Sequence, residues 1–119
     1  MKTILVVDDE LGSAEVLSLI LEDEGYRTYC AVNGRRGLEK AREVRPQLII
    51  LDFMMPIMDG AQMARAVRED PELAGVKILM NSGLAEPVLR QRFTDYDAFL
   101  RKPYNLDQAL EVIRELLAR

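Results

Sequence analysis

Four short groups of polar residues could do chemistry in this 119-residue sequence, because each adjoins an apolar run. The groups are Asp8-Asp9-Glu10 after TILVV, Asp52 after LIIL, Asn81-Ser82 after VKILM, and Lys102-Pro103 shortly after DAFL. Three aspartates brought close together would repel one another unless a cation compensated them or their pKa values rose. Hard divalent cations prefer such oxygen ligands, and magnesium often shares carboxylates with phosphate oxygens.

A hydroxyl and an ammonium complete a set of groups suited to phosphoryl transfer. Ser82 can donate a hydrogen bond, and Lys102 supplies a compact positive charge for an oxyanion. An aspartate can itself act as the nucleophile and form an acyl phosphate. Asp52 is the candidate nucleophile because it stands alone at the end of a fully apolar run. Taken alone, an aspartate in this position is more often a helix N-cap or a solvated turn carboxylate, so the role of Asp52 depends on its neighbours.

The elements that must position these groups follow from apolar runs that alternate with segments of helical period, a pattern typical of βα units. Strands are predicted over residues 3–7, 26–32, 47–51, 76–80 and 97–100. Helices are predicted over residues 11–24, 35–44 and 85–93, and in the segments that follow Asp59 and Asn105. Five βα units predict an α/β fold with three layers and a doubly wound, five-stranded parallel sheet in the order 2-1-3-4-5, a flavodoxin-like (βα)5 arrangement. The polar groups then follow neighbouring strands and should converge on one crevice at their carboxyl ends.

Sequence signals at the helix ends support this division of the chain. Asp59 and Gln62 have the spacing of a capping box, and Asn105 and Gln108 repeat it before the last helix. Gly25 is suited to end the first helix. The fourth helix has the weakest pattern because it is short and contains a proline that fits only its first turn.

Composition limits the classes of function. The length suits one domain over residues 1–119, and a net charge of −4 argues against nucleic-acid binding by this domain. With no histidine and the single cysteine Cys30, a zinc site is not expected. The chain opens directly into a strand-like run instead of a signal peptide, and it has no apolar run long enough to cross a membrane. We therefore expect a cytoplasmic location and no membrane partner.

The motifs ILVVDDE, LIILDFMMPIMDG, MNSG and FLRKPY, in this order, resemble the receiver domain of bacterial two-component response regulators. The resemblance covers essentially the whole chain. It implies that Asp52 is the phosphoacceptor and that Asp9 and Asp52 bind Mg²⁺ directly, with Mn²⁺ as a substitute. It also implies that Asp8 holds the metal largely through water and that the backbone carbonyl of Met54 completes the protein's share of the metal ligands.

The same resemblance implies roles in catalysis and signalling for three further residues. Ser82 and Lys102 would bind the phosphoryl oxygens, and the ring of Phe99 would move inward when Ser82 forms a hydrogen bond to the phosphoryl group. The implied partners are a sensor histidine kinase or phosphotransfer protein as donor and a downstream protein or effector domain as target. Such a domain is a signalling phosphoacceptor and not an enzyme, since it catalyses only its own phosphorylation and dephosphorylation.

Two other classes of function stay open at this stage. Phosphatases with an aspartate nucleophile generally carry a second aspartate two residues later, where this chain has Met54. A receiver-shaped scaffold could bind a partner without being phosphorylated, although the intact set of Asp52, Ser82 and Lys102 argues against it. The sequence also leaves open whether these residues form a stand-alone receiver or part of a longer regulator.

The chain departs from the receiver pattern after Ser82. The segment between Ser82 and Lys102 is shorter than in most receivers, and the usual Gly-Ala before the fifth strand is missing. We therefore expect a truncated or tilted fourth helix, which weakens the case for the dimer that many receivers form through this face. Two positions that control the lifetime of the acyl phosphate in the family are apolar here, Met54 and Leu84. Slow self-dephosphorylation is expected.

Overall fold

Five parallel strands form the middle layer of the computed structural model, which describes residues 1–119. They are β1 (Thr3–Val7), β2 (Arg27–Ala31), β3 (Leu48–Asp52), β4 (Lys77–Ser82) and β5 (Ala98–Arg101). Their order in the sheet is β2-β1-β3-β4-β5, and every neighbouring pair is parallel. The predicted strand order is confirmed, and so is the placement of β3 at the centre.

Five α-helices cover the two faces of the sheet. They are α1 (Leu11–Asp23), α2 (Gly34–Val44), α3 (Gly60–Glu69), α4 (Glu86–Leu89) and α5 (Leu106–Ala118), with a single 3₁₀ turn at Pro71–Leu73. None of these helices combines the length and the apolar composition needed to cross a bilayer.

The predicted helix ends agree with the structure at α1 and α3, and in part at α5. Asp59 and Gln62 form a complete capping box at α3, in which the side chain of each residue accepts the backbone N–H of the other at 2.9 Å. At α5 the side chain of Asn105 accepts the N–H of Gln108 at 3.1 Å, but the return bond of a capping box is not made. Gly25 follows the end of α1 with a φ of 98°, a conformation that favours glycine.

The fourth helix is much shorter than the predicted range of 85–93. Only Glu86–Leu89 is helical, with Pro87 in its first turn, and the chain continues as isolated turns. Phe93 then turns into the core and Tyr96 packs its ring against Phe93 at a centroid distance of 6.4 Å. A short connection must return the chain to β5, and burial of these rings takes precedence over helix propagation. The expectation of a truncated helix is confirmed, whereas the range 85–93 is wrong.

Apolar side chains cover both faces of the sheet. One cluster joins alternate strand residues, such as Leu5, Ile49 and Ile78, to α2 and α3. The other joins the intervening residues, such as Val6 and Ile50, to α1 and α5. Because both faces are buried, polar side chains of the strands can reach solvent only at the strand ends.

Candidate functional site

The carboxyl ends of β1, β3 and β4 bring three polar side chains into one row. Val7 is the register partner of Leu51, so Asp8 continues β1 beside Asp52, and Asp52 is itself the register partner of Asn81 on β4. Register partners in a parallel sheet project on the same face, which here is the face covered by α1 and α5. The sheet geometry therefore sets Asp52 between the two other polar side chains.

Asp8, Asp9 and Asp52 form the acidic cluster that the sequence predicts. Each offers a carboxylate oxygen, and these oxygens lie within 4.8 Å of one another. Asp8 and Asp52 are buried, whereas Asp9 is exposed. Asp8 is also held in place locally, since its Oδ1 accepts the backbone N–H of Glu10 at 2.9 Å. Three hard oxygen donors at this spacing fit a divalent cation such as magnesium.

Lys102 is the one cation close to the two buried acids. Its Nζ lies 3.4 Å from Asp8 Oδ2 and 3.5 Å from Asp52 Oδ1, so both contacts are at the long end of hydrogen bonding. Burial lowers the pKa of Lys102, but the charges of Asp52 and Asp8 outweigh that effect and leave it above its ordinary value. Lys102 therefore stays protonated at neutral pH. It follows β5 directly, and its peptide bond to Pro103 is cis.

Asp52 is the carboxyl with the most altered acidity in the site. Burial is the main cause and raises its pKa from 3.8 to about 6; the charge of Lys102 opposes this rise, while Asp8 and Asp9 add to it. An ionised Asp52 is thus destabilised in the protein by lost hydration and by like charges. Such a carboxylate gains from any reaction or ligand that removes its negative charge or compensates it.

Ser82 lies one residue beyond Asn81, at the end of β4, and is fully buried. Its Oγ accepts the backbone N–H of Leu84 at 3.0 Å, and its carbonyl accepts the N–H of Lys102 at 2.7 Å. The first bond fixes the hydroxyl oxygen against the loop that follows β4, and the second ties the end of β4 to the end of β5. The hydroxyl proton has no acceptor among these contacts, so Ser82 can still donate a hydrogen bond.

Three further residues with predicted roles are Met54, Leu84 and Phe99. Met54 follows β3 in the loop that leads to α3, and 61% of its surface is exposed. Its side chain lines a groove together with Leu84, so the two apolar residues expected to shield the phosphoryl group share one surface. Phe99 on β5 is half-buried and packs against Tyr96 at a ring-centroid distance of 6.4 Å.

Close packing of α3 against β3 holds the acidic loop in shape. The N–H of Gly60 donates to the carbonyl of Phe53 at 2.9 Å. A Cβ atom at position 60 would lie 2.6 Å from the carbonyl oxygen of Asp52 and 2.7 Å from the Cα of Phe53. Only glycine permits this approach, because both clashing atoms belong to the backbone.

Asn81 is the residue of the site to which sequence reasoning gave no role. It is buried at 4% exposure, and its Oδ1 has no hydrogen-bond partner. It lines a cavity of about 330 Å³ together with Asp8, Asp52, Lys102 and Tyr104. The only signal in the sequence is an amide at an inward position of an otherwise apolar strand, and that signal does not reveal the missing partner.

The match to known proteins agrees with this geometry. The family model described as the response regulator receiver domain matches residues 4–114, nearly the whole chain. The chain belongs to this receiver family. As a receiver domain it is a phosphoacceptor signalling module of two-component systems, and its acidic pocket lies where the sheet topology places ligand sites.

Individual relatives support the assignment of this receiver domain. It is 32% identical over 123 residues to the DNA-binding dual master transcriptional regulator RpaA of Synechocystis, an alignment that covers 100% of the chain and 50% of RpaA. The structure of chemotaxis protein CheY4 of Vibrio cholerae matches with a TM-score of 0.91 and 31% identity over 98% of both chains. The structure of response regulator TrrA from Thermotoga maritima, in complex with Mg(2+)-BeF, matches with a TM-score of 0.87 and 32% identity over 98% of this chain and 99% of TrrA. The chain spans about half the length of the curated relatives it matches.

Proposed function

We propose that Asp52 is the phosphoacceptor of this receiver domain and that Asp8, Asp9, Ser82 and Lys102 form the site around it. The single observation that supports this most strongly is the environment of Asp52. It is buried close to Asp8 and Asp9, Lys102 is the cation that compensates it, and its pKa is raised to about 6. At neutral pH a carboxyl with that pKa is still mostly ionised, and it is more basic than an ordinary aspartate, so it is a better nucleophile toward phosphorus.

In the proposed reaction, a carboxylate oxygen of Asp52 attacks the phosphorus of the donor in line with the leaving group. A new O–P bond forms and an acyl phosphate results. The bond from phosphorus to the leaving group breaks at the same time. With a phosphohistidine donor this is the N–P bond, and the imidazole retains the electron pair; with acetyl phosphate it is an O–P bond, and acetate leaves. Lys102 holds its positive charge beside the phosphoryl oxygens throughout.

We further propose that magnesium is the resident cation, held by Asp9 and Asp52 directly, by Asp8 largely through water, and by the backbone carbonyl of Met54. The spacing of the three carboxylates within 4.8 Å supports a compact divalent site. When bound, the ion supplies positive charge that offsets the carboxylates and the phosphoryl oxygens. Mn²⁺ has similar preferences for oxygen ligands and is expected to substitute.

Signalling in this proposal is a population shift between two conformations, biased by the bond from Ser82 to the phosphoryl group. The free hydroxyl proton of Ser82 supports this role, and the half-buried ring of Phe99 is the proposed moving part. A swing from 1:99 to 99:1 requires that phosphorylation favour one conformation by about 5.5 kcal/mol.

We infer from the family that the phosphoryl donor is a sensor histidine kinase or a phosphotransfer protein in the cytoplasm. The reader of the signal is proposed to be a downstream protein or an effector domain. DNA binding is named for relatives about twice the length of this chain, and it is not proposed for these residues, whose net charge is −4.

Intact-mass analysis after incubation with acetyl phosphate tests the proposal. Wild type should gain the mass of one phosphoryl group in the presence of Mg²⁺ and much less after chelation. Asp52→Asn should gain none, because an amide is not a nucleophile of this kind. Asp107→Asn, which removes an exposed charge in the first turn of α5, should behave as wild type.

Two results would contradict the proposal. A full adduct on Asp52→Asn would move the nucleophile to another residue. Failure of wild type to form any adduct, with a histidine kinase or with acetyl phosphate, would instead favour a receiver-shaped scaffold that works without phosphorylation.

A further inference from the structure

The buried amide of Asn81 is the one polar group of the site that lacks a partner. Its Oδ1 is shielded from solvent and accepts no hydrogen bond. An unpaired buried acceptor is costly, and the cost is recovered when a donor arrives. Leucine has nearly the same shape and would fill the same space without that cost, so packing alone does not account for an amide here.

The position of Asn81 in the sheet restricts which donor can reach it. Asn81 is the register partner of Asp52 on one side and of Leu100 on the other. Leu100 and the neighbouring Leu79 belong to the core on the α1 and α5 side, so the Asn81 side chain projects on that same face. Lys102, two residues after Leu100, lines the same cavity as Asn81.

Lys102 has donors to spare. Its ammonium carries three N–H groups, and its two recorded partners lie at 3.4 and 3.5 Å, both carboxylates of the acidic cluster. Phosphorylation of Asp52 would convert one partner carboxylate into an acyl phosphate, whose negative charge lies on the phosphoryl oxygens, and a divalent cation would compete for the other carboxylate. The amide oxygen of Asn81 is neutral and is not consumed by either event. It is a buried acceptor of the cavity wall that has no partner in the structure and is not altered by the reaction.

We propose that Asn81 is a positioning residue: when a phosphoryl group draws the Lys102 ammonium away from the two acids, Oδ1 of Asn81 accepts one of its N–H groups and keeps the ammonium aimed at the phosphoryl oxygens. This inference rests on the proposed function, since it assigns Asn81 to the same reaction. In this arrangement Asn81 holds one N–H group of the Lys102 ammonium from the cavity wall, while the phosphoryl oxygens accept its remaining N–H groups. Asn81 itself touches neither the donor nor the reacting atoms.

The first test observes Lys102 directly, with Mg²⁺ and beryllium fluoride bound as a non-covalent stand-in for the phosphoryl group, since Asn81 Oδ1 has no partner before a phosphoryl group is present. The chain has four lysines, Lys2, Lys40, Lys77 and Lys102, so the ¹⁵N side-chain ammonium resonances can be assigned by single substitutions. A hydrogen-bonded ammonium exchanges its protons with water slowly. We expect Asn81→Leu to speed exchange at Lys102 by about tenfold, the effect of one lost hydrogen bond of about 1.4 kcal/mol. Asn81→Asp keeps an oxygen at the same position and should restore slow exchange.

The second test measures phosphorylation by acetyl phosphate at saturating Mg²⁺. Asn81→Leu should lower the maximal rate by about tenfold with little change in the apparent KM, because a misaimed Lys102 weakens contacts made in the transition state. Its thermal stability should equal or exceed that of wild type. Leu17→Met changes a buried apolar residue on the same cavity wall and is the matched control, with no change expected in either measurement.

The outcomes separate this inference from the proposed function. Unchanged exchange at Lys102 in Asn81→Leu, or equal effects of Leu17→Met, would overturn the role of Asn81 even if Asp52 is phosphorylated. An adduct missing from wild type would overturn the proposed function, while the exchange measurement would still decide whether Asn81 binds Lys102.

Discussion

Replacement of Asp52 by asparagine should stabilise the protein in metal-free buffer, and the gain should grow with pH. The folded protein holds the pKa of Asp52 at about 6, against an ordinary value of 3.8 that applies to the unfolded chain. The folded state therefore binds this proton more tightly. As pH rises from about 4 to about 7, wild type must ionise a buried carboxyl that the unfolded chain ionises freely, and stability falls.

The size of the effect follows from the same two pKa values. At about 1.4 kcal/mol for each pKa unit, the difference between 3.8 and about 6 corresponds to about 3 kcal/mol once Asp52 is fully ionised. For a domain of this length, that is a rise in Tm of about 10 °C as an upper limit. Below about pH 3 both states carry the protonated acid, so the contribution of this ionisation to the stability difference between the variant and wild type should vanish.

Urea unfolding of both proteins at several pH values, with chelator present, measures this difference directly. The comparison with Asp52→Asn removes the contributions of all other titrating groups. Asp23→Asn, an exposed change at the far end of α1, controls for the loss of one negative charge. A stability gain that is the same at about pH 4 and about pH 8, or a variant less stable than wild type at about pH 8, would refute the picture of a destabilised, charged Asp52.

Three further expectations concern the loop between β3 and α3 and its neighbour across the groove. Gly60→Ala should destabilise the fold by about 2 kcal/mol or more, because the added Cβ would lie 2.6 Å from the carbonyl oxygen of Asp52. Urea unfolding measures this change, and a variant as stable as wild type would refute the close approach. Ile57→Gly should raise the free energy of unfolding by about 1 kcal/mol, because Ile57 is 75% exposed and has a φ of 70°, which is unfavourable for a β-branched residue. A lower free energy of unfolding would show that the Ile57 side chain contributes more than the backbone strain costs. The double variant Met54→Asn, Leu84→Glu should shorten the lifetime of the phosphorylated protein, measured after acetyl phosphate is removed. Polar side chains can orient an attacking water at a place where the apolar ones shield the phosphoryl group. The decay should be faster by about tenfold for each 1.4 kcal/mol taken from the barrier. Decay of wild type within seconds, or no faster decay in the double variant, would exclude apolar shielding.

Local patterns in the sequence were sufficient to predict the sheet and the positions of its ends. Apolar runs without alternation indicate strands buried on both faces, and polar residues directly after them must lie at the carboxyl edge. The N-cap of α3 at Asp59 and the end of α1 before Gly25 are each determined by residues within a few positions along the chain, and both agree with the structure. The predicted acids and Lys102 do lie together for the same reason, since parallel strands bring their ends to one edge.

Tertiary structure alone decided the length of α4 and the electrostatic state of the pocket. The segment 85–93 has helix-forming residues, yet burial of Phe93 and the return to β5 end α4 at Leu89. The pKa of Asp52 and the unpaired oxygen of Asn81 depend on burial by chain segments far apart in sequence. The sequence determines the type and the order of the chemical groups in the site. Hydration and charge act through space, so the state of each group is known only when its neighbours are in place.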